Sequence, residues 1–319
     1  MCAPVRVSPA GTVPARSLLW AGLAALWLLD GLLALQPNMY MNMLDVVAMG
    51  GWGQPAWMVS LINDGVIQWL YTSHSALLAD ALLAAVQIGI GGGLILGQNR
   101  HWGRYVVVGS LPVAAVIWFF GEWAGGLFGL DISLVSGGPG AACLYALIAG
   151  LLLQPIGWWQ AGGRSGRLAR WLGWTWLIGA GLQAFPSFWS ARSQSLTFLG
   201  AAVLTRQGFV TAPINAVARF GGAHPILLNS LLVLAMAALG ISLLRAPSGW
   251  AWALAAAVGL FTWWIGENFG ALFSGAGTDP NTGAVWLLLV AAAYVERKHQ
   301  RLSANPSQTP PEPTPVRGY

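Results

Sequence analysis

Runs of about twenty apolar residues recur along this chain with almost no charge inside them, and each is long enough to cross a bilayer. Only 8% of the 319 residues are charged, against about 25% in a soluble domain. Such a chain cannot cover a water-facing surface. The expected class is therefore an all-α integral membrane protein with the lipid bilayer as its main partner. Eight spans are read: Ser17–Gln36, Ser75–Leu96, Tyr105–Glu122, Pro139–Gln154, Trp171–Phe185, Pro225–Leu244, Gly249–Glu267 and Pro280–Val295. The nineteen tryptophans suit membrane interfaces and dense packing inside a bundle.

One stretch occurs twice. Trp118-Phe-Phe-Gly-Glu-Trp-Ala-Gly-Gly-Leu-Phe128 returns as Trp263-Trp-Ile-Gly-Glu-Asn-Phe-Gly-Ala-Leu-Phe273, both reading G-E-x-x-G-x-L-F. Glu122 and Glu267 are two of only ten acidic residues, and an ionisable group at the edge of a span is costly unless it has a task or a partner. Trp27-Leu-Leu-Asp-Gly-Leu-Leu-Ala-Leu-Gln-Pro37 likewise pairs with Trp176–Pro186, Ile62-Asn63 with Ile214-Asn215, and His74 with His224. These pairs share a spacing near 150 residues. The expectation is two tandem four-helix repeats related by a pseudo-two-fold axis along the membrane normal. The runs W-L-L-D-G-L-L-x-L-Q-P and G-E-x-x-G-x-L-F resemble those of uncharacterised bacterial polytopic membrane proteins. That resemblance covers most of the membrane region and implies no activity.

The expected division is a cytoplasmic tail over 1–16, a first repeat over 17–155, a basic linker over 156–170, a second repeat over 171–295 and a disordered tail over 296–319. Residues 38–73 lack Lys and Arg and suggest an interfacial amphipathic helix near Trp57–Trp69. Arg6, Arg16, Arg100, Arg104, the linker arginines, Arg245, Arg297 and Lys298 all fall on one side of an eight-span bundle. That side is expected in the cytoplasm of a plasma-membrane protein with both termini inside. The outer segment 188–223, with Arg192, Arg206 and Arg219, runs against this rule. The net charge of +5 serves orientation and points to no nucleic acid.

Chemistry is expected at the outer ends of the spans. Gln36, Glu122 and Asp131 from the first half meet Gln183, Glu267 and Asp279 from the second as ligand-binding candidates. His74 and His224 with Glu122 and Glu267 make a candidate set for a divalent transition metal. The two histidines could instead hold a haem iron from both faces. The bland alternative pairs each glutamate with backbone N–H groups and leaves each histidine among lipid headgroups. Met39-Tyr-Met-Asn-Met43, with Met49 and Met58, offers thioethers suited to Cu(I), or simply adaptable packing. Asp30 and Asp80 sit inside spans, where each could relay a proton or bond a neighbouring helix. No phosphate-binding loop, Ser-His-Asp order or Cys pair supports an ATPase or a covalent hydrolase. The leading expectation is a protein that binds a small solute or metal ion between its repeats and transports or delivers it. A haem redox protein and an accessory or scaffold subunit are the alternatives, and a homo-oligomer or a membrane partner is compatible with each.

Overall fold

The computed structural model describes residues 13–129, 132–160, 166–202, 205, 207–245 and 247–304. Among the described residues every regular element is a helix. The first half contains α1 (Pro14–Ala34), α2 (Pro37–Met49), α3 (Ala56–Val59), α4 (Gln68–Thr72), α5 (Ala76–Gly97), α6 (Gly103–Val116) and α7 (Ala141–Leu152). After α8 (Ile156–Gln160) come α9 (Arg167–Gln183), α10 (Ala191–Ala202), α11 (Gly208–Ala223), α12 (Pro225–Arg245), α13 (Gly249–Phe261) and α14 (Asn281–Ala304). Prolines at the first position of α1, α2 and α12 fix where these helices begin, because the missing N–H is one that a first turn leaves unbonded anyway.

Five helical stretches are long and apolar enough to cross a bilayer: Pro14–Ala34, Ala76–Gly97, Gly103–Gly121, Pro225–Arg245 and Gly249–Gly266. The protein is therefore a multi-pass helical membrane protein. The other three expected spans fall short for separate reasons. α7 is apolar but has only 12 residues, a rise of about 18 Å. α9 has 17 residues and opens with Arg167 and Arg170. α14 is long, but its last turns are charged.

Glycine permits the crossings of α1 on α5 and of α9 on α12. α1 packs on α5, where a Cβ on Gly91 would lie 2.9 Å from the Ala24 carbonyl oxygen and one on Gly31 2.9 Å from that of Ala84. α9 packs on α12 in the same way, with a Cβ on Gly173 falling 2.9 Å from the Gly240 carbonyl oxygen. Small residues let backbones approach where lipid gives helices no hydrophobic reason to associate. α14 packs against α1, α7, α9 and α13, so it joins the early and late parts of the chain. The tryptophans divide as expected: Trp27, Trp159, Trp176 and Trp286 are fully buried, whereas Trp52, Trp57, Trp69, Trp174 and Trp250 are exposed.

Several boundaries differ from the expected ones. The last helix continues past Val295 to Ala304, because Glu296 is buried and accepts hydrogen bonds from the Arg167 N–H (3.2 Å) and Leu168 N–H (3.0 Å) at the start of α9. The disorder expected from residue 296 therefore does not hold over 296–304, and residues 305–319 lie outside the described residues. The linker holds a short helix, α8, and α9 already begins at Arg167. The interfacial helix is continuous from Ala56 to Thr72 through a π-helical segment, Ser60–Ile67. In the outer segment, α10 and α11 pack together and bury Phe198 and Ile214, which turns part of this arginine-bearing region into packed structure.

Several of the basic residues gather at helix ends. Arg16 donates from Nη2 to the Leu152 carbonyl (3.2 Å), and Arg16, Arg100, His101 and Arg104 line one cavity beside the end of α7. In the later half, Arg301 donates to the Pro247 carbonyl (3.3 Å) while Glu296 holds the start of α9. Arg6, Arg164 and Arg206 lie outside the described residues.

Candidate functional site

The two G-E-x-x-G-x-L-F stretches fold alike. α6 ends in a π-helical turn, Ile117–Gly121, and α13 in another, Thr262–Gly266. Each glutamate follows its turn, and four left-handed residues follow the glutamate. These are Trp123, Ala124, Gly125 and Gly126 in one copy, with φ of 53°, 51°, 61° and 80°. In the other they are Asn268, Phe269, Gly270 and Ala271, with φ of 51°, 54°, 65° and 54°. Left-handed backbone costs a non-glycine residue roughly 1–2 kcal/mol, and such strain persists only where the surroundings impose it. Here the indole N–H of Trp118 donates to the Pro139 carbonyl (2.7 Å), and that of Trp263 to the Pro280 carbonyl (2.7 Å). The Trp123 indole donates to the Val47 carbonyl (2.6 Å), which fastens the first turn to α2.

The reversal aims each carboxylate at the start of the next helix, where free N–H groups and the helix dipole favour negative charge. Glu122 accepts from the Ala142 N–H, 3.0 Å from Oε1 and 3.2 Å from Oε2. Gly140, with φ of 101°, leaves room for that carboxylate, because a Cβ there would collide with Glu122 Oε2. Glu267 accepts from the Gly283 N–H (2.7 Å) and from the Thr282 hydroxyl. The bland reading of the glutamates thus describes part of what they do: both cap a helix. They differ in what else they face. Glu267 is buried and lines neither of the two cavities described next, whereas Glu122 lines both.

The first cavity measures about 110 Å³, with Asp30, Asp80, Gln87, Glu122, Tyr145 and Asp279 set among apolar walls. The second, about 320 Å³ and more polar, is bordered by Glu122, Asp279, Ser133, Ser136 and Asn281. Gly121, Glu122, Thr278 and Asp279 belong to both linings, so the cavities adjoin there. Among the described residues no Lys, Arg or His lines either one. Asp279 accepts from the Thr278 hydroxyl (2.8 Å) and the Asn281 N–H (2.6 Å). Burial nevertheless raises its carboxyl above the ordinary 3.8, with those two bonds acting in the opposite direction.

Asp30, deep in α1, is bonded by the Tyr145 hydroxyl (3.1 Å), whose ring meets Trp27 edge-on at 5.3 Å. This is the helix–helix hydrogen bond that a mid-span acid needs in lipid. The corresponding place near Trp176 holds Trp286, at 5.5 Å, and Gly179 stands where Asp30 would be. Among the described residues no acid–tyrosine pair accompanies Trp176.

The remaining candidates scatter. Gln183 lines neither cavity but is buried in an amide network that borders the second one through Ser133: it accepts from the Ser133 hydroxyl (2.6 Å) and donates to Asn229 Oδ1 (2.7 Å), to which Gln194 also donates (3.2 Å). Gln36 lies near the Gly275 loop and lines neither cavity. His74 and His224 are exposed at turns between helices and are likewise absent from both linings. Asp131 lies outside the described residues. Among the described residues no group of three or more His, Cys, Asp or Glu could hold a metal ion. Met39 and Met43 do face the first cavity. Tyr145, Gln87, Ser133, Asn229 and Gln194 were missed as site residues. Gln87 and Tyr145 carried a signal, a lone polar side chain in an otherwise apolar stretch, whereas Ser133 and Gln194 lie among other polar residues and carried none. Comparison with known proteins adds no relative: no family model matches the chain, and no curated protein or solved structure is significantly similar to it.

Proposed function

We propose that this protein is a two-repeat, eight-span membrane protein that receives a small cationic solute or metal ion in an outward-facing acidic chamber and transports or delivers it. The observation that carries this reading is the chamber itself: four carboxylates, Asp30, Asp80, Glu122 and Asp279, line two adjoining cavities that no described basic residue enters. Such a lining concentrates positive charge and repels anions. The matched turns after Glu122 and Glu267, and the matched crossings of α1 on α5 and α9 on α12, support an internal duplication. Gathering of the basic ends supports a cytoplasmic face opposite the chamber.

The test is cation binding and uptake by the purified protein in proteoliposomes, with Na⁺, Zn²⁺, Ag⁺ and a small alkylammonium as probes. Glu122→Gln combined with Asp279→Asn keeps the shapes and removes the charge at the junction of the cavities. At least one probe binds saturably to the native protein, and the double variant weakens it about tenfold or more, the loss expected for one charge-assisted hydrogen bond. A double variant that melts like the native protein and binds every probe equally well removes the basis for this function.

A further inference from the structure

Within the chamber one carboxylate is unlike the others. Asp80 is 1% exposed, and neither of its oxygens accepts a hydrogen bond, whereas Asp30, Glu122 and Asp279 each have a donor. About two turns further along the same face of α5, Gln87 is 5% exposed and its Oε1 is also without a partner. Both line the smaller cavity. A buried acid and a buried amide oxygen left unbonded each forfeit free energy that folding does not recover elsewhere. Two residues of one cavity wall thus carry acceptors that no donor reaches, because the Tyr145 and Thr278 hydroxyls of that wall are committed to Asp30 and Asp279, and this describes a site shaped for something that brings donors.

The rest of the wall limits what that is. Met39, Met43, Leu83 and Ile117 make it largely apolar. A hard metal ion needs several converging oxygen ligands, and the described residues offer no group of three suitable side chains. An ammonium group needs only acceptors, carries its own donors, and brings an alkyl body that matches the apolar wall. The volume suits a body of about five non-hydrogen atoms, slightly less than the benzene-sized guest of a 150 Å³ cavity.

We propose that Asp80 and Gln87 form an inner subsite for the ammonium head of a small aliphatic amine, with its alkyl chain against Met39, Met43 and Leu83. This assignment rests on the cation-binding reading and names the class of cation. Glu122 and Asp279 stand where the two cavities meet, on the route inward from the larger one.

The probe is n-butylammonium, titrated against the full-length protein in nanodiscs, with n-butanol as its uncharged analogue and Na⁺, Zn²⁺ and Ag⁺ as competing cations. Butylammonium binds saturably and butanol does not. Asp80→Asn weakens it about 30-fold and Gln87→Leu about 5-fold, the range for losing a charged and a neutral hydrogen bond. The melting temperature of Asp80→Asn equals or exceeds that of the native protein, because an unbonded buried carboxylate is gone. Two results overturn the assignment while leaving the acidic chamber standing: butylammonium bound equally by Asp80→Asn and the native protein, or Ag⁺, Na⁺ or Zn²⁺ bound in a Glu122- and Asp279-dependent manner without any response to butylammonium. If no cation of any kind binds, the subsite and the chamber reading fall together.

Discussion

At the scale of single residues, Asp279 is one of the four carboxylates whose charge sets how the chamber behaves in acid. Burial lifts its carboxyl above 3.8, so protons compete with a bound cation over a wider range than at an exposed aspartate. The sign follows directly. Cation affinity rises with pH through a midpoint above the ordinary aspartate value, and Asp279→Asn removes that step from the binding curve. Stability moves the other way in the empty protein. The folded chain holds a proton that the unfolded chain releases, so folding weakens as pH climbs from the ordinary value through the raised one. Titration of affinity and of apparent melting temperature on the same sample checks both directions. The acids themselves were legible in the sequence, because charge in an apolar chain is conspicuous. Their partners were not. Hydropathy does not say which face of α5 or α7 turns inward, so the meeting of Asp80, Gln87 and Tyr145 at one cavity depended on packing between helices far apart in sequence.

At the scale of elements, carboxylate capping recurs as a device for starting helices. Glu122 serves α7, Glu267 serves α14, and Glu296 serves α9 from the far end of α14. Burial raises Glu296 above 4.5, while its bonds to the α9 N–H groups and to Gln300 work against that rise. Glu296→Ala leaves two N–H groups of α9 without an acceptor and costs about 1–2 kcal/mol, the usual loss for a helix cap. Glu296→Gln keeps an oxygen in place and falls between the two, as thermal unfolding in detergent would record. This cap explains why the end of α14 escaped the sequence reading: a charged stretch looks like tail until a backbone partner is known. The turns after Glu122 and Glu267 show in the sequence as a repeated glycine-bearing motif. Their left-handed course through Trp123, Ala124, Phe269 and Ala271 does not, because those residue types disfavour it, Asn268 being the one non-glycine residue of the two turns that takes it readily.

For the whole molecule, the count of crossings decides where the ends of the chain lie. Five spans of sufficient length and hydropathy would leave α14 on the side opposite the start, whereas eight return it to that side. Leu302, 45% exposed near the end of α14, and Trp52, 89% exposed between α2 and α3, report the difference. In a chain with Cys2 and Cys143 replaced, Trp52→Cys reacts with a membrane-impermeant maleimide on intact cells. Leu302→Cys reacts only after permeabilisation if there are eight crossings, and labelling of both from outside would return the count to five.

The spacing of each glutamate from its N–H donors also bears on how such a chain enters the bilayer. Ala142 follows Glu122 by 20 residues and Gly283 follows Glu267 by 16. At ordinary rates of synthesis, about 5–20 residues per second, each acid waits roughly one to four seconds for the segment that neutralises its isolation. A ribosome therefore delivers the acid and its shelter almost as a unit, and the translocon can release the two as a hairpin without either carboxylate ever meeting lipid alone.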